Sequence, residues 1–160
     1  MSDRLQFRVK GRWTAAGRGR VEAESVERPI DFSAPPEFRG EAGFWTPEHL
    51  FIAAVASCFI TTFRAIAEAS RFDPVSLDIS VEGVAGKGEG GYEFTHVILS
   101  PHLTIREEAD RQRAARLLEK TEHSCLVSRS LKSKVTMEPR IELAGTQVAP
   151  PDIQFCEIQK

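Results

Sequence analysis

Residues 46–59 read TPEHLFIAAVASCF and predict the long helix around which the fold is built. Thr46 is a good N-cap residue, and Pro47 suits the first helical position, where an N–H would have no intrahelical acceptor. The helix should run to about residue 70, or roughly 36 Å at ~1.5 Å per residue. Since residues 50–60 are apolar on nearly every side, we expect this helix to be buried on every side, by a surrounding sheet or by a second subunit.

Shorter elements are predicted on both sides of this helix. Segments in which apolar and polar residues alternate predict strands, at residues 5–13, 18–26, 29–32, 75–84, 92–105 and 134–143. Segments with one apolar face predict helices, at residues 107–123 and 126–131. A glycine-rich turn at 86–91 joins two strands into a hairpin, and Pro101 marks an edge, a bulge or an end. Because strands and helices lie in separate runs, the fold class is α+β rather than a parallel α/β sheet.

Length and composition predict one soluble domain at residues 1–143, followed by a tail at 144–160. The chain has 160 residues, 41% of them hydrophobic, and a net charge of −2. Its scattered basic residues argue against a nucleic-acid partner. No stretch reaches the ~18–20 apolar residues of a membrane span, and the N-terminus lacks the apolar core of a signal peptide. Three cysteines do not make a secreted disulfide framework, so we expect a cytoplasmic protein that binds neither nucleic acid nor membrane.

Cys58 lies in the middle of the predicted helix, among apolar residues. A buried cysteine commonly acts as a small hydrophobic side chain, so a core role is one interpretation. A reactive thiol needs its pKa lowered by a cation or a helix N-terminus. Because the helix dipole cannot help a residue at mid-helix, a reactive Cys58 requires a positive group from elsewhere in the protein.

Cys125 lies between two predicted helices, in the segment EHSCLVS at residues 122–128. Backbone N–H groups at the start of the second helix would stabilise a thiolate there, whereas a structural cysteine is the simpler interpretation. His123 raises the idea of a metal site with Cys125 and Cys58. The His-x-Cys spacing is not that of a zinc knuckle, and no second close pair exists, so we expect neither a metal nor a cofactor.

Three charged residues are candidates to assist a reactive thiol. Glu48 is explained by its place in the first turn, at the positive end of the helix dipole. It precedes Cys58 by ten residues, or about 15 Å of helix, so it can serve Cys58 only from a partner subunit. Arg18 and Arg20 share one face of a predicted strand. Either could supply the cation, although solvated strand arginines are the simpler interpretation.

The stretch from Thr46 to Phe59 resembles the central helix of the OsmC/Ohr family, the osmotically inducible and organic hydroperoxide resistance proteins. The segment SLDI at 76–79 continues the pattern, and HSCLVS at 123–128 is similar to the family's second cysteine motif. The resemblance spans about residues 5–143. It implies an intertwined homodimer of long buried central helices wrapped by antiparallel sheets, with its sites at the subunit interface.

The same resemblance implies a thiol peroxidase for hydroperoxides, most plausibly organic ones. In such proteins the first cysteine, here Cys58, attacks the peroxide as a thiolate and becomes a sulfenic acid, which the second, here Cys125, converts to a disulfide. A dithiol reductant, often lipoyl-linked, restores both thiols. The family's thiolate-stabilising arginine falls best on Arg18, and the glutamate that orients this arginine falls on Glu48.

The chain also departs from the family pattern. Leu126 stands where many members have proline, the turn before Arg18 and Arg20 is not the usual one, and Cys156 lies outside the resemblance. These departures favour a general OsmC-like protein over a close Ohr enzyme. Aromatic side chains near the motif could form an apolar entrance or belong to the core: Phe44, Trp45, Phe51, Phe59 and Phe63.

Two rival functions follow from the same residues. A non-catalytic OsmC-like protein would bind a small ligand and keep both thiols in its core. A thiol redox sensor would form the same disulfide without sustained turnover.

Overall fold

A computed structural model of the chain describes residues 4–14 and 17–146. These residues form two compact units, one ending at Phe51 and one beginning at Ile52. Most of the predicted tail, including Cys156, lies outside the described residues. The fold is of the predicted α+β class, with two separate sheets and three α-helices among the described residues.

The first unit contains a three-stranded antiparallel sheet. Its strands are β1 (Val9–Trp13), β2 (Arg18–Ala23) and β3 (Ile30–Ser33), in the order β1-β2-β3. The predicted first strand began four residues earlier, but residues 5–8 are not part of a strand, although the Arg8 carbonyl accepts the Glu24 amide at 3.5 Å. The Phe32 ring lies so close to Gly19 that a Cβ at this position would collide with it.

Helix α1 (Pro47–Ala69) agrees closely with the prediction for residues 46–70. Its first turn is held by a reciprocal pair of contacts. The hydroxyl of Thr46 accepts the His49 amide at 3.2 Å, and Nδ1 of His49 accepts the Thr46 amide at 3.3 Å. This is a capping box in which histidine takes the place usually held by glutamate or glutamine.

The second unit is built on a mixed sheet. Strands β4 (Ser76–Gly88) and β5 (Gly91–Ile105) form a long antiparallel hairpin, so most of the predicted turn at 86–91 is strand. Helix α2 (Arg111–Ser124) follows a short 3-10 turn at Glu108–Asp110, and α3 (Leu126–Arg129) follows α2. Strands β6 (Lys134–Met137) and β7 (Arg140–Leu143) pair in parallel with β5, so this sheet is not purely antiparallel.

Pro101 lies in the interior of β5, rather than at an edge or an end of the sheet. On the far side of β5, Leu99 pairs with the last residue of β6 and His102 pairs with the first residue of β7. Pro101 therefore faces the break between β6 and β7, where Pro139 also lies. A proline lacks an amide donor. No residue of β6 or β7 is paired with position 101, so no donor is needed on that side of β5.

The core of the second unit is formed by one face of α1, the inner face of β5 and one face of α2. The α1 residues in it are spaced four apart; they are Val55, Phe59, Phe63 and Ala67. The remaining faces of α1 are half-buried or exposed in the single chain. By length and composition alone α1 could cross a membrane, a test that the core helix of a soluble protein also passes.

Candidate active site

Cys58 and Cys125 meet in the second unit, as the sequence resemblance implied. Cys58 projects from α1 beside the buried Phe59 and is partly exposed. Cys125 is fully buried and lies between α2 and α3. Its amide donates to the Thr121 carbonyl of α2 at 2.9 Å, and its own carbonyl accepts from the Arg129 amide of α3 at 3.0 Å. Both cysteines are free thiols, and the Cys125 thiol lies close enough to Cys58 to lower its pKa.

The Cys58 thiol lies in surroundings that favour its ionised form. Burial by itself would raise the pKa of Cys58, but hydrogen bonding reverses the outcome. The largest opposing contribution comes from the backbone amide of Val127, followed by the Cys125 thiol and the Thr62 hydroxyl, and then by the Leu126 amide. The pKa of Cys58 therefore lies below that of an ordinary cysteine, which is the condition for a thiolate nucleophile.

Cys125 shows the opposite behaviour. Burial is the main cause that raises the pKa of the Cys125 thiol, and the neighbouring Cys58 raises it further. The Ser128 hydroxyl and amide lie beside the sulfur and lower the pKa, but by less. The buried Ser128 oxygen makes no hydrogen bond of regular geometry with any described group. The pKa of Cys125 therefore lies above that of an ordinary cysteine, so of the two thiols it is Cys125 that keeps its proton when Cys58 ionises.

These opposite shifts give the two cysteines different chemical capacities. An ionised Cys58 with partial exposure can attack an electrophile that reaches it from outside. A buried, protonated Cys125 is protected from such an electrophile but is already in contact with the first sulfur. It is therefore placed to react with an oxidised Cys58.

Arg18 belongs to the first unit, where it is held by an acidic residue that the sequence analysis did not select. Its guanidinium donates two hydrogen bonds to the Glu41 carboxylate, from Nε at 2.8 Å and from Nη2 at 2.6 Å. The same guanidinium lies 4.6 Å from the centre of the Phe44 ring. The paired hydrogen bonds and the cation–π contact fix the orientation of this arginine.

Arg20 is held by a different partner in the same sheet. It donates to Asp31 at 2.6 and 2.9 Å, and these two residues are directly opposite each other in the β2–β3 pairing. The hydrogen bond to Asp31 raises the pKa of Arg20 and lowers the pKa of the aspartate. Arg20 therefore has a local structural role as a cross-strand ion pair.

Glu48 lies in the first turn of α1, as predicted, and is half-buried. Its Oε2 atom is buried and has no hydrogen-bond partner among the described residues of this chain. In the first unit the carboxylate that binds Arg18 is Glu41, so the pairing of Arg18 with Glu48 that the resemblance implies is not formed within the single chain.

His123 and two of the candidate aromatic residues, Phe59 and Phe63, lie in structural rather than functional positions. His123 is exposed, and its Nδ1 lies 2.8 Å from the Glu119 carbonyl one turn earlier in α2. Within residues 4–14 and 17–146, no group of three histidine, cysteine or acidic side chains is close enough to hold a metal. Phe59 and Phe63 are buried in the core, so they do not line an entrance.

Sequence reasoning found only some of the groups that lie beside the two sulfurs. It expected the backbone N–H groups at the start of the helix after Cys125 to stabilise a Cys125 thiolate, whereas the Val127 and Leu126 amides lower the pKa of Cys58. Thr62 could have been found from its position four residues after Cys58, which places both on one side of α1. Glu41 lies in a loop, where no periodicity indicates the direction of its side chain.

Comparison with known proteins identifies the chain's relatives. The sequence model of the OsmC-like protein family matches residues 40–140. An uncharacterised protein of Bacillus subtilis strain 168, YmaD, is 26% identical over 144 residues, which cover 87% of this chain and 96% of the relative.

Two solved structures share the fold. An OsmC-like protein of unknown function from Vibrio cholerae has a TM-score of 0.76 at 20% identity, covering 85% of this chain and 99% of that one. An organic hydroperoxide resistance protein from Legionella pneumophila has a TM-score of 0.70 at 24% identity, covering 86% of this chain and 97% of that one. With the family match extending over more than half of its length, this chain belongs to the OsmC/Ohr family.

Proposed function

We propose that the protein is a thiol-dependent hydroperoxide reductase, with Cys58 as the nucleophile and Cys125 as the resolving thiol. The observation that supports this most strongly is that the two thiols lie close enough to influence each other and have pKa values shifted in opposite directions, downward for Cys58 and upward for Cys125. Organic hydroperoxides are the proposed substrates, because a solved structure with the same fold is described as an organic hydroperoxide resistance protein.

In the first step the Cys58 thiolate attacks one oxygen of the peroxide O–O bond. The S–O bond forms as the O–O bond breaks, and the other oxygen leaves as an alkoxide that takes up a proton to become the alcohol. The sulfur is oxidised to a sulfenic acid and the peroxide is reduced. The amides of Val127 and Leu126 stabilise the thiolate before the attack.

In the second step the Cys125 sulfur attacks the Cys58 sulfenic acid. An S–S bond forms, and hydroxide leaves and combines with the proton released from the Cys125 thiol to give water. A dithiol reductant, for which we propose a lipoyl-linked one, then reduces the disulfide by exchange and is itself oxidised to a disulfide. Such reductants act in a reducing compartment, and we propose the cytoplasm.

Arg18 is the proposed cation for the thiolate, and Glu48 the proposed second carboxylate. Arg18 is favoured over Arg20 because the resemblance places the family's arginine there, and because its carboxylate partner Glu41 lies in a loop, whereas the partner of Arg20, Asp31, lies opposite it in the sheet. The Glu48 oxygen that has no hydrogen-bond partner in the described part of the chain is available to a guanidinium. Glu41 is the carboxylate that orients Arg18 in the single chain.

We propose that two copies of the chain form a homodimer through α1. This helix is strongly apolar, yet only four of its residues are buried within the described chain; they are Val55, Phe59, Phe63 and Ala67. The N-terminal segment also presents large apolar side chains to solvent; they are Leu5, Phe7, Val9 and Trp13. Light scattering on the purified protein should give twice the chain mass of 17.8 kDa, and a monomer would overturn this part of the proposal.

Peroxide turnover by cysteine variants tests the proposed activity. With a dithiol reductant and cumene hydroperoxide, the parent protein should turn over repeatedly, Cys58→Ser should be inactive, and Cys125→Ser should over-oxidise at Cys58. Turnover by Cys58→Ser at the parent rate would refute the proposal. A parent protein that forms the disulfide once and does not cycle would be a redox sensor, and one whose two thiols resist alkylation would be a non-catalytic relative.

A further inference from the structure

Thr62 lies beside the reacting sulfur. It follows Cys58 by one helical turn of α1, so the two side chains share a face of the helix. The Thr62 Oγ1 and Cys58 Sγ atoms are 3.9 Å apart, and both side chains are partly buried. Sulfur has a larger radius than oxygen, so this separation is still a hydrogen-bonding one.

The neighbouring Thr61 shows what a threonine usually does in a helix. Its hydroxyl donates to the backbone carbonyls of Ser57 and Cys58, each at 3.0 Å, and its side chain is exposed. Threonine hydroxyls commonly bond back to the preceding turn in this way. Within the described part of the chain, the Thr62 hydroxyl instead has the Cys58 sulfur as its partner.

Ionisation of Cys58 determines which group donates the hydrogen bond between Thr62 and the sulfur. A thiol can donate to the threonine oxygen or accept from it, but a thiolate has no proton and can only accept. The threonine hydroxyl then donates to a charged acceptor, which makes the hydrogen bond stronger than one between neutral groups. The contact therefore stabilises the thiolate more than the thiol.

We infer that Thr62 is a further residue of the active site, which donates its hydroxyl to the Cys58 thiolate and orients the sulfur for attack. This inference rests on the proposed function for its role in turnover. The contact itself is independent of the reaction, because any electrophile that alkylates Cys58 reports on it.

The test compares three variants of the full-length protein. Thr62→Val replaces the hydroxyl by a methyl group of similar shape, Thr62→Ser keeps a hydroxyl, and Thr61→Val removes the neighbouring hydroxyl that contacts only the backbone. Iodoacetamide alkylation of Cys58 is followed against pH by mass spectrometry of the peptide that contains it. Thermal unfolding of each variant establishes that it is folded, and Thr62→Ala serves if Thr62→Val is not.

Thr62→Val should move the alkylation profile to higher pH and slow alkylation near neutral pH by about 3- to 10-fold, the effect of one hydrogen bond of ordinary strength, as suits a contact of this length. Thr62→Ser and Thr61→Val should keep the parent profile. A parent-like profile for folded Thr62→Val, or an equal shift in Thr61→Val, would overturn the inference. Failure of the proposed function would appear separately, as a parent protein that does not consume hydroperoxide although Thr62→Val still shifts alkylation.

Discussion

Arg18 and Glu41 are joined by two hydrogen bonds, so the guanidinium is held by a loop carboxylate within its own unit. The Phe44 ring supports the same guanidinium from one face. Family resemblance assigns the orienting role to Glu48, whose buried oxygen is without a partner among the residues described. The chain therefore contains two carboxylates that could hold the same arginine, one before and one within α1.

Arg18→Lys is expected to slow the reaction of Cys58 with hydroperoxide about tenfold or more, because lysine cannot reproduce a paired hydrogen bond to a carboxylate. Arg20→Lys is the matched control and should have little effect on the rate, since Arg20 pairs with Asp31. Stopped-flow tryptophan fluorescence after mixing with peroxide measures both. An equal loss of reaction rate in the two variants would mean that the loss comes from disturbance of the sheet that both arginines share, rather than from Arg18 itself.

Alkylation of the two cysteines should differ in its pH dependence. A thiol whose pKa is lowered becomes a thiolate at a lower pH than an ordinary cysteine, so Cys58 should react with iodoacetamide at neutral pH and lose reactivity only under more acidic conditions. Cys125, whose pKa is raised, should stay protonated and react slowly until the pH is well above the ordinary range. Peptide mass spectrometry separates the two sites, and faster labelling of Cys125 would contradict the assigned roles.

Leu126→Pro tests the backbone amide that faces Cys58. Proline removes the N–H, yet it is well accepted at the first position of a helix, here the start of α3. The preceding Cys125 has φ −64° and ψ 112°, which a residue before proline adopts readily. Alkylation of Cys58 near neutral pH should slow by about 2- to 5-fold, since one hydrogen bond is lost and the Val127 amide remains.

The matched control for that amide is Leu126→Ala. Alanine keeps the N–H and removes the exposed side chain, so Cys58 should retain its parent alkylation rate. If the alanine variant slows as much as the proline variant, the side chain of Leu126 matters and its amide does not.

His49→Ala is expected to lower the free energy of unfolding by about 0.5–1 kcal/mol, through loss of the acceptor that caps the Thr46 amide. His49→Gln should retain most of the stability, because glutamine is a usual partner in a capping box. Urea denaturation measures both variants. An unchanged free energy of unfolding in His49→Ala would show that the imidazole nitrogen does not stabilise the helix as a cap.

The sequence was sufficient to predict α1 and the convergence of the two cysteine segments. Thr46 and Pro47 are local signals that a helix begins, and the structure begins α1 at Pro47. The cysteine roles came from a family pattern and stay predictions, although the Cys125 thiol lies close enough to Cys58 to influence its pKa.

Other features depend on contacts between distant residues and had no local signal. The parallel pairing of β6 and β7 with β5 follows from the crossover through α2, since a strand that returns after a helix can run parallel to the first. The interior place of Pro101 depends on a break in the neighbouring strands. Likewise, the choice of Glu41 as the partner of Arg18 depends on the path of a loop, which alternation of residues does not determine.

The most direct test of the account is the state of the two sulfurs after one equivalent of organic hydroperoxide, without reductant. Intact mass spectrometry should show the loss of two hydrogen atoms, and peptide mapping should find a single disulfide that joins Cys58 to Cys125. Formation of sulfinic acid at Cys58 with Cys125 still a free thiol, or no oxidation of Cys58 at all, would contradict it.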